Sequence, residues 1–199
     1  MLFPVKPKHS PGKDTHAYWE NFLSEEDINY LIEQSKNETG QACIGGANNE
    51  SVINAAIRTT DISWVNLNDE NMRLWEKISE AVSKVNAQFF KFDLSGFYEP
   101  MQIGTYKAES GGHYDWHIDA SNTDMNTPRK LSMVMSLSDP SEFEGGELLI
   151  KTNRDTPISL ELKKGRAWFF PSYVLHKVTP VTKGVRKSLV IWIGGPEFK

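Results

Sequence analysis

The stretch Gly111-Gly112-His113-Tyr114-Asp115-Trp116-His117-Ile118-Asp119-Ala120 contains His-x-Asp twice, in frames four residues apart. In an extended chain residues i and i+2 point to one face, roughly 6.6 Å apart, so either pair could converge on one metal ion. Such pairs arise by chance, and a third ligand gives them weight. His176, in Pro171-Ser172-Tyr173-Val174-Leu175-His176-Lys177-Val178, sits on a later β-type run that could return beside the first. Two imidazoles and one carboxylate on one face of an octahedron leave the other positions open, which suits Fe(II) held without thiolate. Zinc accepts the same donors in metalloproteases, but those sites carry His-Glu-x-x-His on a helix, and that pattern is absent here. Parity does not separate the frames, because His113, Asp115, His117 and Asp119 all share one face of an ideal strand. His113 and Asp119 would lie about 20 Å apart, so one ion takes one frame unless the strand bulges.

Arg186 follows in Lys183-Gly184-Val185-Arg186-Lys187-Ser188-Leu189-Val190-Ile191-Trp192. Lys183-Gly184 reads as a turn that reverses the chain and sets Arg186 on the neighbouring strand, near the metal face. A guanidinium inside a small barrel needs an anionic partner, because burying an unpaired charge costs several kcal/mol. A carboxylate accepting two parallel N–H bonds fits it. Taken alone, Arg186 reads more simply as a surface residue or the partner of a protein acid. A metal triad upstream reverses that preference.

These residues must be positioned by a scaffold. Ser24-Glu25-Glu26-Asp27 is a capping box opening a helix with Ile28, Leu31 and Ile32 on one face and an end near Ser35. Asn68 or Asp69 caps a second helix, whose stripe of Leu74, Trp75, Ile78, Ala81, Val82, Val85 and Phe89 reads as core packing. Between them lies the turn-rich loop Gly45–Asn54, followed by a strand over Ile57–Val65. From residue 93 onward short β-type runs dominate, near 99–107, 113–119, 130–138, 146–151, 157–162, 166–170, 174–180 and 186–193. The predicted class is mainly β with flanking helices (α+β), around an antiparallel sandwich or jelly roll.

Length supports one domain over 1–199, with supporting helices and strands in 1–92 and the β core in 93–195. A net charge of −4 gives no reason to expect nucleic acid as a partner. No apolar run is long enough for a membrane span, and the N-terminus lacks a signal-type apolar region, so a cytoplasmic location is expected. The single Cys43 excludes a disulfide framework and multi-cysteine metal sites. Gly-x-Ser-x-Gly, P-loop and dinucleotide fingerprints are absent.

Tyr106, Gly112 to Asp119, Arg129 to Ser132, Glu144-Gly145-Gly146-Glu147-Leu148, Trp168-Phe169-Phe170-Pro171, His176 to Val181 and Gly184-Val185-Arg186 resemble, in order and spacing, the 2-oxoglutarate/Fe(II) dioxygenases of the prolyl 4-hydroxylase-like branch. The resemblance covers roughly residues 93–195. Ile57 to Val65 also resembles the strand after the substrate-gripping loop of prolyl hydroxylases. The resemblance implies a double-stranded β-helix and, through Tyr114-x-x-His117-x-Asp119, selects the second frame. It places iron on His117, Asp119 and His176, and the distal carboxylate of 2-oxoglutarate on Arg186. It adds Tyr106, Trp192 and Ser132 as co-substrate contacts; the strand holding Ser132 lacks the Tyr that assists 2-oxoglutarate binding in the animal oxygen sensors. His113 and Asp115 become rim residues near the substrate.

The implied cofactors are Fe(II), 2-oxoglutarate and O₂, with ascorbate as a candidate reductant. The implied reaction is oxidative decarboxylation of 2-oxoglutarate coupled to hydroxylation of a C–H bond, with prolyl residues of a peptide or protein as first candidate substrate and the Gly45–Asn54 loop as its cover. A free amino acid, another protein residue or a small molecule is the alternative with the same cofactors. A non-catalytic jelly-roll binding module is the remote one.

Overall fold

The computed structural model describes residues 15–37, 40–42, 44–45, 51–120, 127–152 and 155–197. Cys43 and residues 46–50 of the Gly45–Asn54 loop lie outside the described residues. In chain order the strands are β1 (Ala17–Glu20), β2 (Gly40–Gln41), β3 (Ile44–Gly45), β4 (Ser51–Val52), β5 (Arg58–Thr59), β6 (Asp61–Val65), β7 (Met101–Lys107), β8 (His113–His117), β9 (Arg129–Ser136), β10 (Phe143–Gly145), β11 (Leu148–Lys151), β12 (Ile158–Leu160), β13 (Arg166–Pro171), β14 (Leu175–Val178) and β15 (Val181–Gly194). The α-helices are α1 (Glu25–Gln34) and α2 (Met72–Val85).

Two antiparallel sheets carry the architecture. The larger runs β1-β13-β9-β15-β7-β6-β2, with β10 joined to β15, and the smaller runs β12-β11-β14-β8-β5. Period-two alternation distributes each strand of the larger sheet between two cores. Leu131, Met133 and Met135 of β9, Phe169 of β13 and Leu189, Ile191 and Ile193 of β15 face the helices, packing on Leu31, Leu74, Ile78 and Val82. The opposite parity, Val134, Trp168, Phe170 and Tyr106, meets Leu148, Ile150, Leu160 and Val178 of the smaller sheet. The polar residues Ser132, Arg186 and Ser188 share this inter-sheet parity, so the alternation that builds the core also buries them.

Ser24 caps α1 as its position predicts. Its Oγ accepts from Asp27 N–H while Asp27 accepts from Ser24 N–H, a pairing worth about 1 kcal/mol. The start of α2 differs from the sequence expectation. Asn68 and Asn71 satisfy each other's backbone N–H through their side chains, so the helix begins at Met72 with Asn71 as cap.

Two further expectations are corrected. Ile57–Val65 is not one strand: it divides at Thr60 into β5 on the smaller sheet and β6 on the larger, closing one end of the sandwich. Lys183-Gly184 does not reverse the chain either. β15 runs through both residues, and Gly184 (φ 70°) lets the strand pass β10, where an added Cβ would fall 2.0 Å from the Glu142 carbonyl oxygen. Arg186 therefore reaches the interior on the strand that already contains Gly184, by parity rather than by a turn.

Candidate active site

His117 ends β8, and His176 lies opposite it in the antiparallel register with β14. The register shifts between His176 and Val178, which face His117 and Tyr114, so β8 carries an extra residue beside the site. Such a bulge breaks the ideal parity that made the two frames equivalent. Asp119 falls beyond the strand, where the backbone N–H groups of Asp119 and Ala120 both donate to the Ser172 carbonyl at 2.9 Å. This corrects the expectation that a strand over 113–119 carries both members of the pair.

Donor atoms of His117, Asp119 and His176 lie within 4.8 Å of one another. His117 Nε2 is 3.8 Å from Asp119 Oδ1, and His176 Nε2 is 3.6 Å from Oδ2. These separations exceed hydrogen-bond length and suit groups that share a cation. His117 Nδ1 lies 2.7 Å from the Asp115 carbonyl and His176 Nδ1 2.9 Å from the Val174 carbonyl. Carbonyls only accept, so each Nδ1 bears the proton and each Nε2 presents a lone pair to the common centre. Burial, reinforced by His176, pushes the His117 pKa down to about 4, which keeps the ring neutral at neutral pH. Burial alone would raise the Asp119 carboxyl, but His176, His117 and Ser132 outweigh it and hold the group below the usual carboxylate range. Trp192 N–H acts in the same direction without forming a hydrogen bond of ordinary geometry. A neutral His117 imidazole and an ionised Asp119 carboxylate suit the binding of a divalent ion.

The remaining candidates assemble around this centre. Arg186 faces Tyr106 across the β15–β7 pair, with its guanidinium carbon 5.0 Å from the ring centroid. It is 2% exposed; Nη1 donates to Ser188 Oγ at 3.3 Å, and Nη2 has no partner. Gly146 passes so close that a Cβ there would fall 2.8 Å from Arg186 Cδ. An orphaned, buried guanidinium donor is what an incoming carboxylate would satisfy, so these residues fit 2-oxoglutarate. Trp192, opposite Ser132 in register, is buried, and Arg129 covers its ring at 3.8 Å while pairing with Glu99.

Ser132, expected among the co-substrate contacts, donates instead to Asp119 Oδ2 at 2.7 Å, with Ser172 Oγ 3.0 Å from its hydroxyl. Sequence reasoning missed Ser172, since nothing local marks a serine whose hydroxyl will meet Ser132 and whose carbonyl will accept from Asp119 and Ala120. Replacing Ser132 with Ala should weaken Fe(II) binding roughly 10- to 100-fold by releasing one carboxylate oxygen. Anaerobic Fe(II) titration, with circular dichroism as control for folding, checks this; unchanged affinity would remove Ser132 from the site.

His113 is turned elsewhere. Its Nδ1 lies 2.9 Å from the Gly111 carbonyl and its Nε2 3.4 Å from the Ala56 carbonyl, while Asp115 is exposed. Tyr114 stacks on His117, ring centroids 3.5 Å apart and planes 13° from parallel.

Comparison with known proteins agrees with this geometry. A family model described as the 2OG-Fe(II) oxygenase superfamily matches residues 101–194, the span that contains the triad and Arg186. That match spans just under half of the chain, and over it the chain is similar to the superfamily. A PKHD-type hydroxylase of Prochlorococcus marinus is 43% identical over 88 residues, 44% of this chain and 38% of that protein. A PKHD-type hydroxylase of Herminiimonas arsenicoxydans is 32% identical over 132 residues, 64% of this chain and 57% of that protein. The chain thus matches less than two thirds of the length of either relative.

The double-stranded β-helix recurs in solved prolyl hydroxylases. One from Trichoplax adhaerens, in complex with a hypoxia inducible factor oxygen degradation domain peptide fragment, superposes with a TM-score of 0.73 at 19% identity, covering 92% of this chain and 84% of that one. A Pseudomonas putida prolyl-4-hydroxylase gives 0.71 at 20% identity, covering 92% and 94%. At such identity the likeness establishes the fold.

Proposed function

We propose that this chain is a 2-oxoglutarate- and Fe(II)-dependent oxygenase that hydroxylates prolyl residues in a peptide or protein. The observation that carries the reading is the pairing of the His117–Asp119–His176 donor set with Arg186, a buried guanidinium lacking a carboxylate partner among the described residues. Similarity to PKHD-type hydroxylases and the shared fold of prolyl hydroxylases support the prolyl substrate.

His117 Nε2, His176 Nε2 and an Asp119 oxygen would hold the iron. Bound there, Fe(II) with 2-oxoglutarate and O₂ supplies decarboxylation to succinate and CO₂ coupled to insertion of one oxygen atom into a C–H bond. Arg186 binds the far carboxylate and fixes the orientation of the co-substrate. Ser132 steadies Asp119, and the Asp115 and Val174 carbonyls hold the two imidazoles in their metal-binding tautomer. Phe170 packs against His176 and keeps that side of the ring from water.

The test is anaerobic loading with Fe(II) and 2-oxoglutarate, then aerobic assay of succinate with Pro-rich peptides. Peptide-stimulated succinate release with one added oxygen on Pro is expected. Stimulation by a free amino acid but by no peptide would move the substrate to that class.

A further inference from the structure

Arg58 is a second guanidinium buried beside the centre, and no step proposed above uses it. It is 7% exposed and stands on β5 opposite Tyr114. Its guanidinium carbon lies 4.4 Å from the Tyr114 ring centroid, and that ring in turn stacks on His117. The charge is therefore one aromatic ring away from a metal ligand. Nη2 donates to Gln102 Oε1 at 2.8 Å, Nε has no partner, and no described carboxylate forms an ion pair with it. Asp115, the acid on the paired strand, is exposed and makes no such bond.

Neutralisation elsewhere makes this isolation informative. Arg129 pairs with Glu99, and Arg166 pairs with both Glu20 and Glu161. Among the arginines of the two sheets, only Arg58 and Arg186 are buried without an acid among the described residues. A cation–π contact offsets only part of what burying an unpaired cation costs. The neutral amide of Gln102 supplies one hydrogen bond and no charge. Arg186 is completed by the co-substrate, and the remaining ligand that could complete Arg58 is the substrate.

The position of β5 supports that assignment. The segment leading into it is tied to β8, with Asp115 N–H donating to the Ile57 carbonyl at 2.8 Å and His113 against the Ala56 carbonyl. A ligand held by Arg58 would thus rest against the strand that ends in His117.

We infer that Arg58 is a specificity-determining residue that binds a carboxylate of the substrate, so the favoured substrate is acidic close to the carbon that is oxidised. The carboxylate could be an acidic side chain, a free C-terminus or the α-carboxylate of a free amino acid. The inference rests on the oxygenase reading of the same site.

The experiment uses matched probes differing only in carboxylate against carboxamide. The pairs are Pro-containing peptides with Asp or Asn beside Pro, the same peptides with free or amidated C-termini, and L-proline against L-prolinamide. Binding is measured on the Zn(II)- and 2-oxoglutarate-loaded protein with ¹⁵N-labelled arginines, the Arg58 Nε signal being assigned by its loss in Arg58→Lys. The acid of at least one pair should bind about tenfold more tightly than its amide and shift that signal. The preference should fall below about twofold in Arg58→Gln and survive in part in Arg58→Lys, with 2-oxoglutarate affinity as the folding control. Which pair responds identifies the source of the carboxylate. Equal binding of acid and amide throughout, or a preference that persists in Arg58→Gln, overturns the inference. If both members of a pair stimulate succinate release equally, the carboxylate site is refuted while the oxygenase reading stands. If an acid binds preferentially and shifts Arg58 but no probe stimulates release, the carboxylate site stands and the prolyl reading falls.

Discussion

His117→Ala should abolish detectable Fe(II) binding and 2-oxoglutarate turnover, whereas His113→Ala should leave both nearly unchanged. The two histidines belong to the same pattern in the chain, yet they occupy different environments. His117 Nε2 faces Asp119 and His176, with its other nitrogen fixed on the Asp115 carbonyl. His113 is turned away from the centre, with its ring nitrogens near the carbonyl oxygens of Gly111 and Ala56. Losing a ligand itself should cost more than the roughly 10- to 100-fold typical of losing an outer hydrogen-bond partner. Losing His113 should cost stability only, about 1 kcal/mol for its hydrogen bonds. Anaerobic calorimetric titration of Fe(II), or of Co(II) followed by its visible absorption, separates the outcomes. Metal binding lost in His113→Ala and kept in His117→Ala would mean that the other frame holds the ion.

Arg186→Gln should raise the 2-oxoglutarate concentration needed for half-maximal turnover roughly 10- to 100-fold, in keeping with hydrogen bonds to charged groups worth about 1.5–3 kcal/mol. Burial lowers the guanidinium pKa and the Tyr106 hydroxyl side opposes that shift. The unpaired Nη2 is the donor that the co-substrate would engage. A second readout keeps this role apart from general damage. Because the ligand-free protein buries this charge without an acid beside it, replacing it with a neutral side chain should not lower the thermal midpoint, and Fe(II) affinity should also be retained. Arg186→Lys should fall between the two, keeping the charge but losing the planar fork. An unchanged 2-oxoglutarate requirement in Arg186→Gln would remove Arg186 from the co-substrate site.

Several features were legible because they depend on local chemistry. The α1 cap needs only Ser24 and Asp27 three residues apart, and the structure shows both halves of the box. The alternation in β9 and β15 is equally local, and it sorts Met133 and Ile191 to the helix side and Ser132 and Trp192 to the inter-sheet side. Features that failed were those in which another group competes for the same backbone. Asp69 could cap a helix in isolation, but the reciprocal Asn68–Asn71 pair takes the first turn and moves the start to Met72. Lys183-Gly184 has turn chemistry, yet pairing with β10 on one side keeps the chain extended and uses Gly184 for close passage past Glu142.

By itself, the sequence determined the donor types, their order along the chain, the β-rich architecture and the presence of an arginine, Arg186, downstream of the donors on the same β core. Residue identity and period-two alternation are enough for that, since each is written into a short window. Strand parity left the two His-x-Asp frames equivalent and only the family resemblance chose between them; tertiary structure supplied the physical reason, because a bulge in β8 and the Ser172 carbonyl set where Asp119 points. It also decided that Ser132 serves Asp119 and that Arg58 is buried one ring from His117 with no acid beside it among the described residues. Whether a charge is paired depends on every segment that folds around it, and no local pattern records that.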